Sequence, residues 1–236
     1  MKTAADRGGE HISQCQKPSG WLGKLTLWNM NTRHSKVTDW GLRHVSIANN
    51  DTILDVGCGG GRTLSKLAAL ATQGKVYGID HSEESIAVSK KANAHLIREA
   101  RVEVHHGSVS QLPFPEGTFD LVTAVETHFW WRNLPTDMHE IFRTLKTGGK
   151  LMIIAEVYKG ANTAVAKLAE KYASKTGMKM LDINEHQRLF AQAGFSDVQV
   201  VTQPDKGWIC ATGRKPWRPL STPISQYNPS EIRHCR

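Results

Sequence analysis

Three stretches of the chain place chemically capable side chains at useful spacings. In Ile53-Leu54-Asp55-Val56-Gly57-Cys58-Gly59-Gly60-Gly61-Arg62-Thr63 an apolar run ends in an acid, and glycines follow at positions 57, 59 and 61. Glycine lets a backbone turn sharply or approach a ligand with no Cβ in the way. A helix behind such a turn presents N–H groups and a positive dipole end, which suits a carboxylate or phosphate. The second stretch is Lys75-Val76-Tyr77-Gly78-Ile79-Asp80-His81-Ser82, another apolar run ending in an acid. A carboxylate at that point accepts both hydrogen bonds of a vicinal diol. The third is Glu126-Thr127-His128-Phe129-Trp130-Trp131, where an acid and an imidazole precede three aromatics in a row. A neutral imidazole is a competent base near neutral pH, and an aromatic wall packs an apolar substrate or faces a cation.

These residues need elements to hold them. Leu64, Leu67, Ala68 and Ala71 follow the glycines at helical spacing, so the first stretch reads as buried strand, tight turn and helix. A dinucleotide fingerprint would need its third small residue at position 62, which is Arg62, and this argues against NAD or FAD. Ser82 reads as the N-cap of the next helix, with Glu83 and Glu84 in its first turn. Residues 101–109 read as a third strand and its exit loop, and residues 119–126 as a fourth strand. A helix is expected over residues 137–145, stopped by Gly148 and Gly149, with a fifth strand over 150–157. Residues 160–177 carry a helix with Val165, Leu168 and Tyr172 on one side. Asp182 and Glu185 form a capping box for a further helix, and residues 198–202 and 208–212 close the chain's sheet as a hairpin.

Asp55-x-Gly57-x-Gly59-x-Gly61 resembles motif I of the class I S-adenosylmethionine-dependent methyltransferases. Asp80, the loop Gln111-Leu112-Pro113-Phe114-Pro115, the turn Arg143-x-Leu145-Lys146-x-Gly148-Gly149 and the terminal hairpin follow in that family's order, so the resemblance spans roughly residues 51–213. It is closest to the small-molecule branch, such as the quinone-ring and sterol enzymes. The resemblance implies an α/β, Rossmann-like sheet of seven strands in the order 3-2-1-4-5-7-6, the last strand antiparallel. N-terminal helices would cover it, and a lid helix would lie between strands 5 and 6. It also implies S-adenosyl-L-methionine as cofactor, held by Asp55, Gly57, Cys58, Gly59, Asp80, His81, Ser108, Val109 and Glu126. The family often carries an acid and a small residue where this chain has Ser108 and Val109. Position at the sheet's active edge, or on the covering helices, nominates Glu126, His128 and His34 as catalytic residues. The same argument makes Asn31, Trp40, Trp130 and Trp131 the substrate pocket.

The expected division is a flexible N-terminus over 1–18, a helical cover over 19–48, the methyltransferase domain over 49–213 with the insert at 160–177, and a flexible tail over 214–236. The length of 236 residues suits one such domain with an extension. No apolar run reaches membrane-span length, and no signal peptide is evident at the N-terminus. The cysteines, at 15, 58, 210 and 235, are far apart, and the His105-His106 pair has no third ligand nearby, so no metal site or disulfide framework is expected. This pattern implies a reducing, cytoplasmic setting. The net charge is +8, and Arg214, Lys215, Arg218, Arg233 and Arg236 against Glu231 carry half of it in the tail. That distribution, with no D/N-P-P-Y/F/W motif and no Pro-Cys nucleophile, makes nucleic acid an unlikely partner. The expected activity is methyl transfer to a small-molecule acceptor by in-line displacement, in a monomer or homodimer. An RNA methyltransferase and a non-catalytic cofactor-binding protein on the same fold are the alternatives.

Overall fold

The computed structural model describes residues 35–217. Asn31, His34, the segment before them and the tail from residue 218 onward lie outside the described residues. The described part of the helical cover is the short helix α1 (Ser35–Gly41) and the turn Leu42–His44.

The first strand, β1 (Thr52–Val56), is apolar on both faces. Successive side chains of a strand point to opposite sides. Leu54 and Val56 therefore enter one core cluster and Ile53 the other, and each of the three is at most 2% exposed. Burial on both faces is what a parallel strand covered by helices requires. β1 lies between β2 (Lys75–Asp80) and β4 (Phe119–Val125), parallel to both. β3 (Val102–His106) pairs with β2, and β5 (Leu145–Ala155) with β4, again in parallel. The seven strands run in the order β3-β2-β1-β4-β5-β7-β6, where β6 is Ser196–Gln203 and β7 is Trp208–Arg214. β7 is antiparallel to both of its neighbours. The architecture is the expected α/β one.

Helices cover both faces. On one side α1, α2 (Arg62–Leu70) and α3 (Glu83–Ala92) contribute Val37, Leu64, Leu67 and Ile86 to the core. A short helix, α4 (Ala94–Arg98), leads into β3. On the other side α5 (Leu134–Thr144) and α7 (Ile183–Gln192) contribute Met138, Ile141, Leu189 and Phe190. Helix α6 (Ala164–Thr176) lies between β5 and α7 in the chain. Ser82 and Asp182 cap α3 and α7, and the Asp182–Glu185 capping box forms in both directions.

Two local expectations need correction. Helix α5 begins at Leu134 rather than Asp137, because the Asn133 side chain accepts the Thr136 N–H and Pro135 fits the first turn. It ends at Thr144, before the two glycines. Gly148 and Gly149 fall inside β5, where the β4–β5 register shifts and Gly148 adopts a φ of +81°. β5 therefore starts at Leu145 and ends at Ala155, not over 150–157. In α6, Val165, Leu168 and Tyr172 do share a side, but that side is exposed, and Ala166 is the residue fully buried.

A cavity at the carboxyl ends of the strands

The glycine turn joins β1 to α2 and is tied down from three directions. The N–H groups of Gly57 and Cys58 both donate to the Ile79 carbonyl, at 2.8 and 3.1 Å. The Gly59 N–H donates to the Asp80 carboxylate at 2.9 Å, and the Ser82 N–H donates to its other oxygen at 2.9 Å. Buried Asn93 donates to the Gly61 carbonyl at 3.0 Å and accepts the Ser65 hydroxyl at 2.7 Å. The N–H groups of Gly57, Cys58 and Gly59 are thus each spent inside the protein. Gly57 itself has a φ of +71°, and a Cβ on it would lie 2.3 Å from the Thr127 hydroxyl. Glycine here lets the β1 end meet the loop after β4.

Beside this turn is a cavity of about 640 Å³, within the ordinary range for a small-ligand site. Val56 and Gly57 line it from β1, and Ile79, Asp80 and His81 from β2. The loop after β3 supplies Gly107 to Ser110, and the loop after β4 supplies Thr127, Trp130, Trp131 and Arg132. Carboxyl ends of parallel strands are where open α/β sheets bind ligands. The loop after β3 is held by Ser110, whose hydroxyl donates at 2.7 Å to Asp137, a wholly buried carboxylate of α5. The Ser108 hydroxyl accepts the Ser110 N–H at 3.2 Å. The loop after β4 is held by Lys179, whose N–H donates to the Phe129 carbonyl at 2.9 Å and whose ammonium donates to Trp131 at 2.8 Å.

Of the residues read from sequence, the cavity gathers Gly57, Asp80, His81, Ser108, Val109, Trp130 and Trp131. Others stand elsewhere. Glu126 adopts a left-handed φ of +57° at the end of β4, and its carboxylate accepts the Glu156 N–H. His128 is 1% exposed and faces His186, with the two Nε2 atoms 3.3 Å apart. His186 directs Nδ1 at the Asp182 carbonyl at 2.8 Å, so that nitrogen carries its proton and Nε2 is left to accept. His128 must then donate through Nε2. Burial, with His186 alongside, holds the His128 imidazole well below its usual range, so it is neutral and shielded. Neither Glu126 nor His128 lines the cavity. The Trp40 ring lies tilted against Trp208, with ring centres 5.8 Å apart, and packs on the α2 side of the sheet rather than in the cavity. The Cys58 thiol is buried, and burial raises it well above its usual range.

Thr127, Arg132, Gly107 and Ser110 were missed. Thr127 sits between the two titratable residues that attracted attention. The left-handed turn at Glu126 is what breaks the strand's alternation there, and no sequence signal announced it. Arg132 carries no motif and is found only by geometry.

Asp55 is 2% exposed and accepts the Thr123 hydroxyl at 2.6 Å. Burial pushes its carboxyl up to about 7, with the charge of Asp80 adding to the rise and the Thr123 bond opposing it. The folded state then holds a proton that the unfolded chain releases near pH 4. Stability from this group is fully present below about pH 4, falls as pH rises to about 7, and levels off above. Between about pH 5 and pH 8 the loss is roughly 2–3 kcal/mol. Urea unfolding at those two pH values should show this loss in the native protein and not in Asp55→Asn.

Order of strands, one antiparallel strand and a cavity at the first four strand ends define the class I methyltransferase fold. Residues 53–149 match the model of the methyltransferase domain family. It is 35% identical over 126 residues to the demethylmenaquinone methyltransferase of Bacillus cereus (strain B4264), a match covering 52% of each protein. The chain thus spans about half the length of the curated relatives it matches. The fold is similar to the methyltransferase in the Haloferax volcanii complex with the Trm112 activator, with a TM-score of 0.71, 19% identity and coverage of 83% of this chain and 96% of that one. It is also similar to geranyl diphosphate C-methyltransferase from Streptomyces coelicolor A3(2), solved with S-adenosyl-L-homocysteine. There the TM-score is 0.62 with 16% identity, covering 77% of this chain and 76% of that one.

Proposed function

We propose that the protein transfers a methyl group from S-adenosylmethionine to a flat, apolar small molecule of the quinol or phenol type. The observation that carries this reading is the cavity itself, with an acid on one wall and two tryptophans on the other. The residues fit the cofactor. Each Asp80 oxygen already accepts one backbone N–H, and a carboxylate has acceptor capacity for two hydroxyls besides. Ile79 and Val109 offer apolar faces to a heteroaromatic ring, and the Ser108 hydroxyl can donate beside it. Arg132 is the lining cation suited to a carboxylate. Loop amides are not offered for that purpose, because Gly57, Cys58 and Gly59 use theirs internally.

When bound, S-adenosylmethionine supplies an electrophilic methyl carbon on a sulfonium. The work left to the chain is alignment and exclusion of water. Trp130 and Trp131 flank the cavity, with Trp131 only 5% exposed and so rigidly placed. Their faces hold an aromatic acceptor flat and favour positive charge nearby. Among the described residues the titratable side chains lining the cavity are Asp80, His81 and Arg132. A wall with so little basic character suits an acceptor whose nucleophilic atom is already electron-rich, such as a ring carbon ortho to an ionised hydroxyl. The similar demethylmenaquinone methyltransferases bear a name consistent with such an acceptor.

The test is transfer of labelled methyl from S-adenosylmethionine to reduced naphthoquinols, simple phenols and bulk RNA, side by side. Labelling of the quinols, reduced at least tenfold in kcat/KM by Trp131→Ala, is expected. Labelling confined to RNA, or none by a protein that binds the cofactor, overturns the acceptor assignment.

A further inference from the structure

Helix α6 turns its small residues inward and its large ones outward. Ala166 is fully buried, and Ala169 is half-buried beside it. Val165, Leu168 and Tyr172 are 51%, 56% and 39% exposed. A packing helix normally does the reverse, placing its large apolar residues in the core. Lys167, Lys171 and Lys175 are exposed at four-residue spacing. At about 100° per residue they form a row directly alongside the apolar one. Glu170, the one acid of the helix, lies on the other flank of the lysine row, where it accepts the Gly160 N–H at 2.6 Å. The result is an outward face with an apolar stripe and an uninterrupted cationic border.

The chain that follows the helix reaches the loop after β4, which lines the cavity. Lys179, just past the helix end, is hydrogen bonded to the carbonyls of Phe129, Trp131 and Arg132, the loop that carries the aromatic wall.

We propose that α6 docks the protein on an anionic lipid bilayer, beside the mouth of the cavity. The charge pattern calls for an anionic partner. Three apolar side chains in one row on a convex helix suit the headgroup–acyl boundary, which needs no matching groove, better than a protein surface, which does. Lysines bordering such a row can keep their stems on apolar surface and their ammonium groups among the headgroups. No helix among the described residues is long and apolar enough to cross a membrane, so the attachment is peripheral. The purpose of the surface rests on the proposed function: an acceptor as apolar as the cavity wall resides in lipid, and docking delivers it. The docking itself does not depend on methyl transfer.

The experiment is sedimentation of the full chain with vesicles of phosphatidylcholine alone, and of equal parts phosphatidylcholine and phosphatidylglycerol. Binding only to the anionic vesicles is expected, weakening as salt is raised. Each lysine near such a surface is worth about a fivefold change in partitioning. Lys167→Gln with Lys171→Gln and Lys175→Gln should therefore lower binding by about a hundredfold, and Leu168→Ser with Tyr172→Ser by at least about tenfold. These side chains are exposed, and circular dichroism confirms that the variants fold. Cofactor binding measured on the same samples keeps the two readings apart: its loss counts against the proposed function, and vesicle binding alone decides the docking. Equal binding to both vesicle types, or binding that survives both sets of changes, overturns the proposal. So does failure of the folded wild type to bind, which would leave the lysine row to an acidic protein.

Discussion

Asp80→Ala is expected to weaken binding of S-adenosylmethionine by about a hundredfold, the effect of losing two charge-assisted hydrogen bonds to a diol. The carboxylate has a second duty that makes the loss larger. It holds the Gly59 and Ser82 N–H groups at 2.9 Å each, so its removal leaves two backbone donors unpaired at the glycine turn. Unpaired buried donors cost about 1–3 kcal/mol apiece, and the variant should unfold at visibly lower urea. Asp80→Asn separates the two duties. Its amide oxygen can retain one backbone partner, so stability should partly recover. One of its two acceptors becomes a donor, so affinity should not. Calorimetric affinity and urea midpoint, measured on both variants, check this. Equal affinity in all three proteins would remove Asp80 from the cofactor site.

Gly57→Ala should be strongly disruptive for a change of a single methyl group. The residue sits at a φ of +71°, and a Cβ would lie 2.3 Å from the Thr127 hydroxyl and 2.8 Å from the Thr127 Cβ. A left-handed non-glycine residue costs about 1–2 kcal/mol, and a clash in a packed site commonly adds about 1–3 kcal/mol. The strain falls on the loop after β4, which lines the cavity, so ligand binding should fall together with stability. Thr127→Gly removes the colliding side chain. The double variant should recover the steric part of the loss and keep the backbone part. A double-mutant cycle on urea unfolding reads that coupling directly. Strict additivity of the two changes would show that the clash is not the cause.

The fold was largely legible, and the reasons are local. Alternating glycines after an acid-terminated apolar run admit few arrangements other than strand, turn and helix. The apolar periodicities placed the strands and helices along the chain, and the resemblance to the class I methyltransferases implied their arrangement as one sheet. Boundaries were misplaced where backbone detail took over. Asn133 and Pro135 started α5 early, and Gly148 and Gly149 entered β5 at a register shift instead of ending a helix.

The site was legible only in part. Asp80, Ser108 and Val109 stand at strand ends, where position alone determines exposure to the cavity. Glu126 and His128 were nominated by their place at the sheet's active edge, and the left-handed backbone at Glu126 puts Thr127 on the cavity wall between them. The two bond instead to Glu156 and His186. Trp40 was read as pocket from its place on the covering helices, and it packs on Trp208 and the core beside α2. Arg132 and the outward face of α6 depend on tertiary placement, which no spacing rule encodes.

The central claim is that the cavity between Asp80 and the two tryptophans holds the methyl donor. Its most direct test is calorimetric titration of the full chain with S-adenosylmethionine and with S-adenosylhomocysteine. The account predicts one site per chain for each compound, in the micromolar range, with each displacing the other. A folded protein that gives no binding heat with either compound would contradict it.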